Sequence, residues 1–182
     1  MTEPTTEKKE TWTTFLAITT VLIAVCATLS TFKGGGYSTR ALMNQTKASD
    51  QWAFYQSKSV KGYIFEMQKD KLEMELQDIQ HTSKNTVQIT DYEKKIEAYS
   101  KKIKKYDEEK EQIKKDARAF EQISEDAKIH SEVFGIAVIY LQVSILLSSI
   151  SALTKKKFVW YISLALGAFG ILYFFNGFFI FF

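Results

Sequence analysis

Few side chains in this 182-residue sequence have the types and spacing that catalysis or metal binding requires. His81 and His130 are the two histidines and Cys26 is the single cysteine, so no paired cysteines or third histidine complete a metal site. The run Gly34–Gly36 lacks both the Lys-Ser/Thr pair and the preceding strand of a phosphate-binding loop. We therefore predict no catalytic residue, metal site or cofactor, and we expect a protein that is not an enzyme.

Charged residues are concentrated in one part of the chain. The block 33–132 holds 19 of the 24 basic residues and 18 of the 21 acidic ones, whereas 11–32, 133–154 and 158–182 contain none. Acidic and basic side chains intermix within the block, so no strongly basic surface suited to nucleic acid is expected. This segregation argues against a soluble globular enzyme, a disulfide-rich scaffold and a disordered chain.

The three uncharged runs are long enough to cross a lipid bilayer. A helix rises about 1.5 Å per residue and the hydrocarbon core is about 30 Å thick. We predict transmembrane helices at 11–32, 133–154 and 158–182, after a polar tail at 1–10. Asn176 lies within the third of them, where it either bonds to a neighbouring helix or lines a pathway. The lysine-rich loop 154–157 is expected on the cytoplasmic side, which leaves the charged block periplasmic or extracellular.

The charged block has the pattern of a coiled coil. From Ile89 to Ala127, alternate steps of three and four residues reach apolar or aromatic side chains at ten of twelve positions. A second stripe runs from Ala48 to Ile79, and the polar stretch 82–86 predicts a turn between them. If the chain folds back at this turn, each residue of the first stripe faces a residue of the second whose number brings the sum of the two to about 168. In this register large side chains face small ones. The predicted hairpin seam contains Ala48, Trp52, Gly62, Phe65, Leu72, Tyr106, Ile113, Ala117 and Phe120.

A bend is expected directly after the first membrane helix. The glycines of Gly34–Gly36 tolerate unusual backbone angles, and Ser38 or Thr39 is suited to cap the helix that follows. The predicted fold class is thus an all-α membrane protein. It has three transmembrane helices and a long antiparallel coiled-coil helical hairpin outside the bilayer, at 33–132.

Side chains away from the seam point to contacts between molecules. Val60, Ile64, Met67 and Met74 recur at helical spacing on the first arm, either as a widened core or as a contact between protomers. Small residues of the membrane helices also permit close helix approach. They are Gly167, Gly170 and Gly177 in the third helix and Ser144, Ser148 and Ser151 in the second. We therefore expect a homo-oligomer in contact with membrane lipid.

A distinctive set of residues follows the first apolar run, within TFKGGGYSTRALMNQTKASDQWAFYQSKSVKGYIFE at 31–66. The set is Gln45, Ala48, Asp50, Gln51, Trp52, Tyr55, Gln56, Lys58 and Lys61. In these residues the chain resembles an uncharacterised bacterial membrane-protein family, domain of unknown function 4337. The resemblance implies a multi-pass protein of the bacterial inner membrane and implies no activity.

Some of these residues lie away from the seam and form a candidate interaction surface with nearby apolar side chains. The surface comprises Asp50, Gln51, Gln56, Lys58, Val60, Ile64 and Met67. It suits docking of another protomer or a protein partner, and its polar members alternatively form a network at the base of the stalk.

The leading functional hypothesis is a non-enzymatic, oligomeric membrane scaffold or partner-binding stalk built on the coiled-coil hairpin. The alternative is an accessory subunit or small pore-forming component of a membrane transport assembly. In that alternative, Asn176 and the serines of the second membrane helix face a central path.

Overall fold

A computed structural model describes residues 11–82 and 86–181, and within these ranges the chain is helical and contains no strand. Three helices follow one another: α1 (Thr11–Thr82), α2 (Thr86–Thr154) and α3 (Lys157–Phe179). The tail predicted at 1–10 lies outside the described residues, and so do residues 83–85 at the centre of the predicted turn. Between α2 and α3 the chain reverses at Lys155, whose φ of 53° is in the left-handed region.

The predicted bend at Gly34–Gly36 is wrong, because α1 is helical without interruption through these residues. Glycine inside a helix costs up to about 1 kcal/mol relative to alanine. Here the absence of a side chain lets a neighbouring helix approach closely. A Cβ on Gly34 would lie 3.0 Å from the Cβ of Phe134. Thr39 does not cap a new helix, since its hydroxyl donates to the carbonyl four residues earlier at 3.0 Å.

Each of the three helices is long and apolar enough to cross a membrane. The apolar windows lie near the start of α1, within α2 and along α3, and only a minor share of each window is buried inside the chain. Large apolar side chains such as Val21, Leu146 and Leu172 are therefore exposed. An apolar exterior of this kind is compatible with lipid and unusual for a surface in water.

The chain divides into two compact units. The first unit is Met1–Leu42 with Ser124–Phe182 and contains all three apolar windows; the second is Met43–Ile123 and contains the polar parts of α1 and α2. A small cluster of Ile23, Ala27 and Leu141 forms a buried core in the first unit.

Close contact between α2 and α3 organises the first unit. A Cβ on Gly170 would lie 2.7 Å from Cγ of Leu141, and a Cβ on Gly177 would lie 2.9 Å from the ring of Phe134. Leu141 and Phe134 are fully buried. Bulky α2 side chains therefore occupy the space above the α3 glycines, as in close-packed membrane helices. Gly167 likewise lies against Ile23 of α1 and Ser144 of α2, so these glycines permit close approach between helices of one chain.

Candidate functional site

Within the second unit, α1 and α2 contact each other through residues of the predicted seam. The Phe65 ring lies 5.5 Å from the Tyr99 ring and 5.9 Å from the Tyr106 ring, and it stacks on the latter at 16°. Gly62 is buried, and a Cβ on it would lie 4.0 Å from the Cβ of Tyr106. Gly62 contacts Tyr106, whereas the later α1 residue Phe65 also reaches the earlier α2 residue Tyr99. The two helices therefore run antiparallel in this unit.

The seam residues differ in how deeply they are buried. Ala48, Gly62, Ile113 and Ala117 are buried, and Ala117 has no exposed surface. The half-buried members are Trp52, Phe65, Leu72, Tyr106 and Phe120. The fully buried positions carry small or medium side chains, which lets the helices approach closely there.

Three polar contacts among the described residues also join α1 to α2 in this unit, and the apolar pattern did not reveal them. They are hydrogen bonds from Trp52 Nε1 to Glu121 Oε1 (2.8 Å) and from Tyr92 OH to Glu75 Oε2 (3.2 Å), and an ion pair between Lys58 Nζ and Glu109 Oε2 (2.6 Å). Because the Tyr92 hydroxyl donates this hydrogen bond to the Glu75 carboxylate, the pKa of Tyr92 is raised. A search for opposite charges whose numbers sum to about 168 would have found the Lys58–Glu109 pair.

Lys58 is therefore part of the contact between α1 and α2, and its predicted place on a docking surface is wrong. Its ammonium lies 5.2 Å from the ring centre of Phe54 and 5.4 Å from that of Tyr106, distances typical of cation–π contacts. The hydrogen bond from Lys58 holds the pKa of Glu109 below its usual value, while partial burial of the carboxyl group acts in the opposite direction.

A cavity of about 290 Å³ lies beside this ion pair. It is lined by Phe54, Lys58, Glu109, Gln112 and Ile113. An ammonium and a carboxylate beside an apolar pocket are groups that orient small polar ligands. Here the two charges lie 2.6 Å apart and neutralise each other, so they hold the helices together and offer neither a free acid nor a free base.

The other polar members of the candidate interaction surface remain accessible to different extents. Asp50 and Gln56 are exposed, and Gln51 is half-buried. Because Lys58 contacts α2, the four polar residues do not share one outward face.

The apolar members of the candidate interaction surface are exposed. Val60, Ile64 and Met67 expose 57%, 47% and 72% of their surface, and Met74 exposes 61%. A widened core would bury these side chains against α2, so that interpretation is wrong. We call Val60, Ile64, Met67 and Met74 the outer stripe of α1.

Asn176 closes the C-terminal end of α3. Its Oδ1 accepts a hydrogen bond from the Phe181 backbone N–H at 2.6 Å, and its carbonyl accepts one from the Ile180 N–H at 2.7 Å. Ile180 adopts a left-handed φ of 48°, as residues at helix ends often do. The Asn176 side chain is 1% exposed. This placement is that of a helix cap, and it does not support a role in lining a pathway.

Buried hydroxyl groups join α2 to α3 in the first unit. Ser144 Oγ donates to the carbonyl of Ser163 at 2.7 Å, and Ser163 Oγ donates to the carbonyl of Ser144 at 2.9 Å. Ser148 Oγ lies 2.6 Å from Ser163 Oγ, and either hydroxyl can donate in this hydrogen bond. All three serines are at most 1% exposed. Ser144 and Ser148 therefore face α3 of the same chain, and Ser151 Oγ donates to the carbonyl of Lys156 at 3.0 Å. These placements do not support a position along a central path.

A histidine contact that the sequence did not reveal lies at the same helix pair. His130 Nδ1 is 2.7 Å from the carbonyl oxygen of Gly177, so Nδ1 carries the donated hydrogen. The imidazole stacks on the Tyr37 ring at 4.6 Å and 11°. His130 therefore links α1, α2 and α3 within the first unit.

Comparison with known proteins gives a family match along nearly the whole chain. The family model described as Domain of unknown function (DUF4337) matches residues 12–180. The match includes the whole of α2 and α3 and all of α1 except Thr11. None of the curated proteins and none of the solved structures matches the chain.

Proposed function

The chain belongs to the family of domain of unknown function 4337, and from its contacts we propose a non-enzymatic membrane scaffold or partner-binding stalk that acts as an oligomer. In this proposal the polar unit Met43–Ile123 is an antiparallel coiled-coil hairpin outside the lipid. The apolar windows of the three helices cross the bilayer and anchor it.

The proposal rests on one observation: polar side chains of the second unit connect α1 to α2. The Lys58–Glu109 ion pair and the Trp52–Glu121 hydrogen bond both connect α1 to α2. A hydrogen bond between Glu75 and Tyr92 makes the same connection elsewhere along the pair. Groups that serve as acids, bases or ligands in enzymes here align two helices, and that is what a rigid spacer requires.

We further propose that the protein lies in a bacterial inner membrane with the hairpin periplasmic or extracellular. The argument rests on Lys155 and Lys156 between α2 and α3 and on Lys157 at the start of α3, because short loops rich in lysine stay on the cytoplasmic side. A reporter that is active only in the periplasm should function when inserted at Asn85. Activity only of a cytoplasmic reporter at that position would reverse this orientation.

Disulfide trapping tests the hairpin in the full-length protein. In a Cys26→Ser background, Gly62→Cys combined with Tyr106→Cys should form an intramolecular disulfide under mild oxidation. Gly62→Cys combined with Glu108→Cys, which is exposed on α2, is the matched control. Equal linkage of the two pairs, or none in either, would contradict the hairpin.

Native mass spectrometry in lipid nanodiscs tests self-association. We expect the full-length protein to carry more than one copy per disc when copies are in excess over discs. A mass of one copy under all loading ratios would contradict the oligomeric scaffold while leaving the hairpin in place.

A further inference from the structure

The outer stripe of α1 has the repeat of a second coiled-coil contact. Val60, Ile64, Met67 and Met74 are separated by steps of four, three and seven residues, and Lys71 divides the last step into four and three. These positions alternate as d and a of a heptad repeat. We propose that this stripe packs against the same stripe of a second copy of the chain, with the two α1 helices parallel. The inference rests on the proposed oligomeric scaffold and specifies its contact surface.

The stripe and the seam occupy different sides of α1. Successive residues turn by about 100°, which places Val60, Ile64 and Met67 about 140–160° around the helix from Gly62. Gly62 is buried next to Tyr106 of α2, whereas the three stripe residues are roughly half or more exposed. A second helix can therefore cover the stripe without displacing α2.

The charges around the stripe favour a second copy of this chain as its partner. Lys71 is exposed at an a position, with Asp70 at the preceding g and Glu75 at the following e. Within one chain, Lys71 Nζ lies 3.7 Å from Glu75 Oε1. In a parallel pair the Lys71 ammonium of each copy also approaches Asp70 of the other copy. The contact then contains two Lys71 ammonium groups and four carboxylates, which are Asp70 and Glu75 of each copy. A lysine at a single a position fixes the register of a coiled coil at some cost in stability.

The short length of the stripe agrees with pairing in a membrane. It covers about two heptads, and so short a coiled coil is marginal between molecules free in solution. Anchoring in one bilayer raises the effective concentration of the partners by confining both. Copies inserted in the same orientation are related by an axis normal to the membrane, and this relation favours parallel over antiparallel contact.

Single-cysteine trapping of the full-length protein in its native membrane tests this inference. In a Cys26→Ser background we would make Val60→Cys, Met67→Cys and Met74→Cys separately, since d positions of a parallel pair bring equivalent Cβ atoms within disulfide range. All three should give disulfide-linked dimers at about ten times the yield of Lys104→Cys, an exposed position on α2. Linkage at Met67→Cys alone would indicate an antiparallel pair, and no linkage above the control would remove the stripe as a contact; either result overturns the proposal.

Charge reversal separates a specific contact from random collision. Lys71→Glu should lower the dimer yield of Met67→Cys about tenfold, because it places like charges in the contact. Adding Asp70→Lys should restore the yield, whereas Lys104→Glu should leave it unchanged. If native mass shows several copies but the stripe gives no linkage, the inference fails and the scaffold stands. A single-copy mass without linkage overturns both.

Discussion

Replacing Gly170 by alanine tests the close contact between α2 and α3, and Gly135→Ala is its matched control. At position 170 the new Cβ would lie 2.7 Å from Cγ and 3.1 Å from the backbone nitrogen of Leu141. Leu141 is fully buried, so its side chain has no open space into which to move. A Cβ at position 135 meets nothing within 4 Å. Both glycines lie inside apolar segments of their helices, which makes the pair comparable.

The magnitude follows from the distance by which the helices must separate. Ordinary van der Waals contacts begin near 3.4 Å, so the Cβ of Gly170→Ala is about 0.7 Å too close to Leu141. Overpacking of this kind costs about 1–3 kcal/mol. Both substitutions gain up to about 1 kcal/mol in helix propensity, and this gain cancels in their difference. We therefore expect Gly170→Ala to be about 1–3 kcal/mol less stable than Gly135→Ala.

Thermal unfolding of the full-length protein in nanodiscs, followed by circular dichroism and tryptophan fluorescence, measures the difference. A Gly170→Ala protein at least as stable as Gly135→Ala would refute the packing that we describe. Adding Leu141→Ala to each variant supplies a further check, because removal of the clashing atoms should shrink the difference. A difference that persists without the leucine side chain would assign it to another cause.

Three further predictions concern contacts described above. The pKa of Glu109 is lowered by folding, so its ionised form stabilises the fold above the pKa of the unfolded chain, and this contribution is lost as the pH falls through the lowered pKa. Lys58→Met should flatten the decline of the unfolding temperature in that acid range. An unchanged decline would contradict the ion pair. Ala117→Trp should overpack the seam and lower the stability measured by thermal unfolding by about 1–3 kcal/mol. Ala119→Trp, at an exposed position, should change the stability little. Equal effects of the two substitutions would argue against the seam. Asn176→Leu should speed hydrogen exchange at the C-terminal end of α3 about tenfold and leave ion flux in liposomes unchanged, and a changed flux would favour the pore alternative.

The helices and their apolar windows could be predicted because they follow from composition. Twenty or more consecutive uncharged residues leave few alternatives to a long apolar helix. The expected break at Gly34–Gly36 failed for a physical reason: glycine weakens a helix locally, but it also permits close approach of another helix. Phe134 lies against Gly34, and no local pattern around residue 34 indicates that contact.

The polar contacts of the candidate site were harder to predict than the apolar seam. A repeat of apolar residues identifies which side of a helix is covered, but a long lysine side chain reaches around that side from a flanking position. Lys58 does so when it meets Glu109. The small residues of α2 and α3 posed a different problem, since Gly170 and Ser144 indicate close approach without specifying whether the neighbour belongs to the same chain or to another.

For the membrane protein that we propose, the reciprocal hydrogen bonds between Ser144 and Ser163 bear on insertion into the bilayer. Alone in hydrocarbon, either helix would carry a hydroxyl whose only acceptors lie on its own turn. Paired, each hydroxyl reaches the carbonyl of the other helix. Because only two residues, Lys155 and Lys156, separate α2 from α3, the two segments leave the ribosome almost together. We expect them to partition from the translocon as one preassembled unit, with α1 already in the membrane when they arrive.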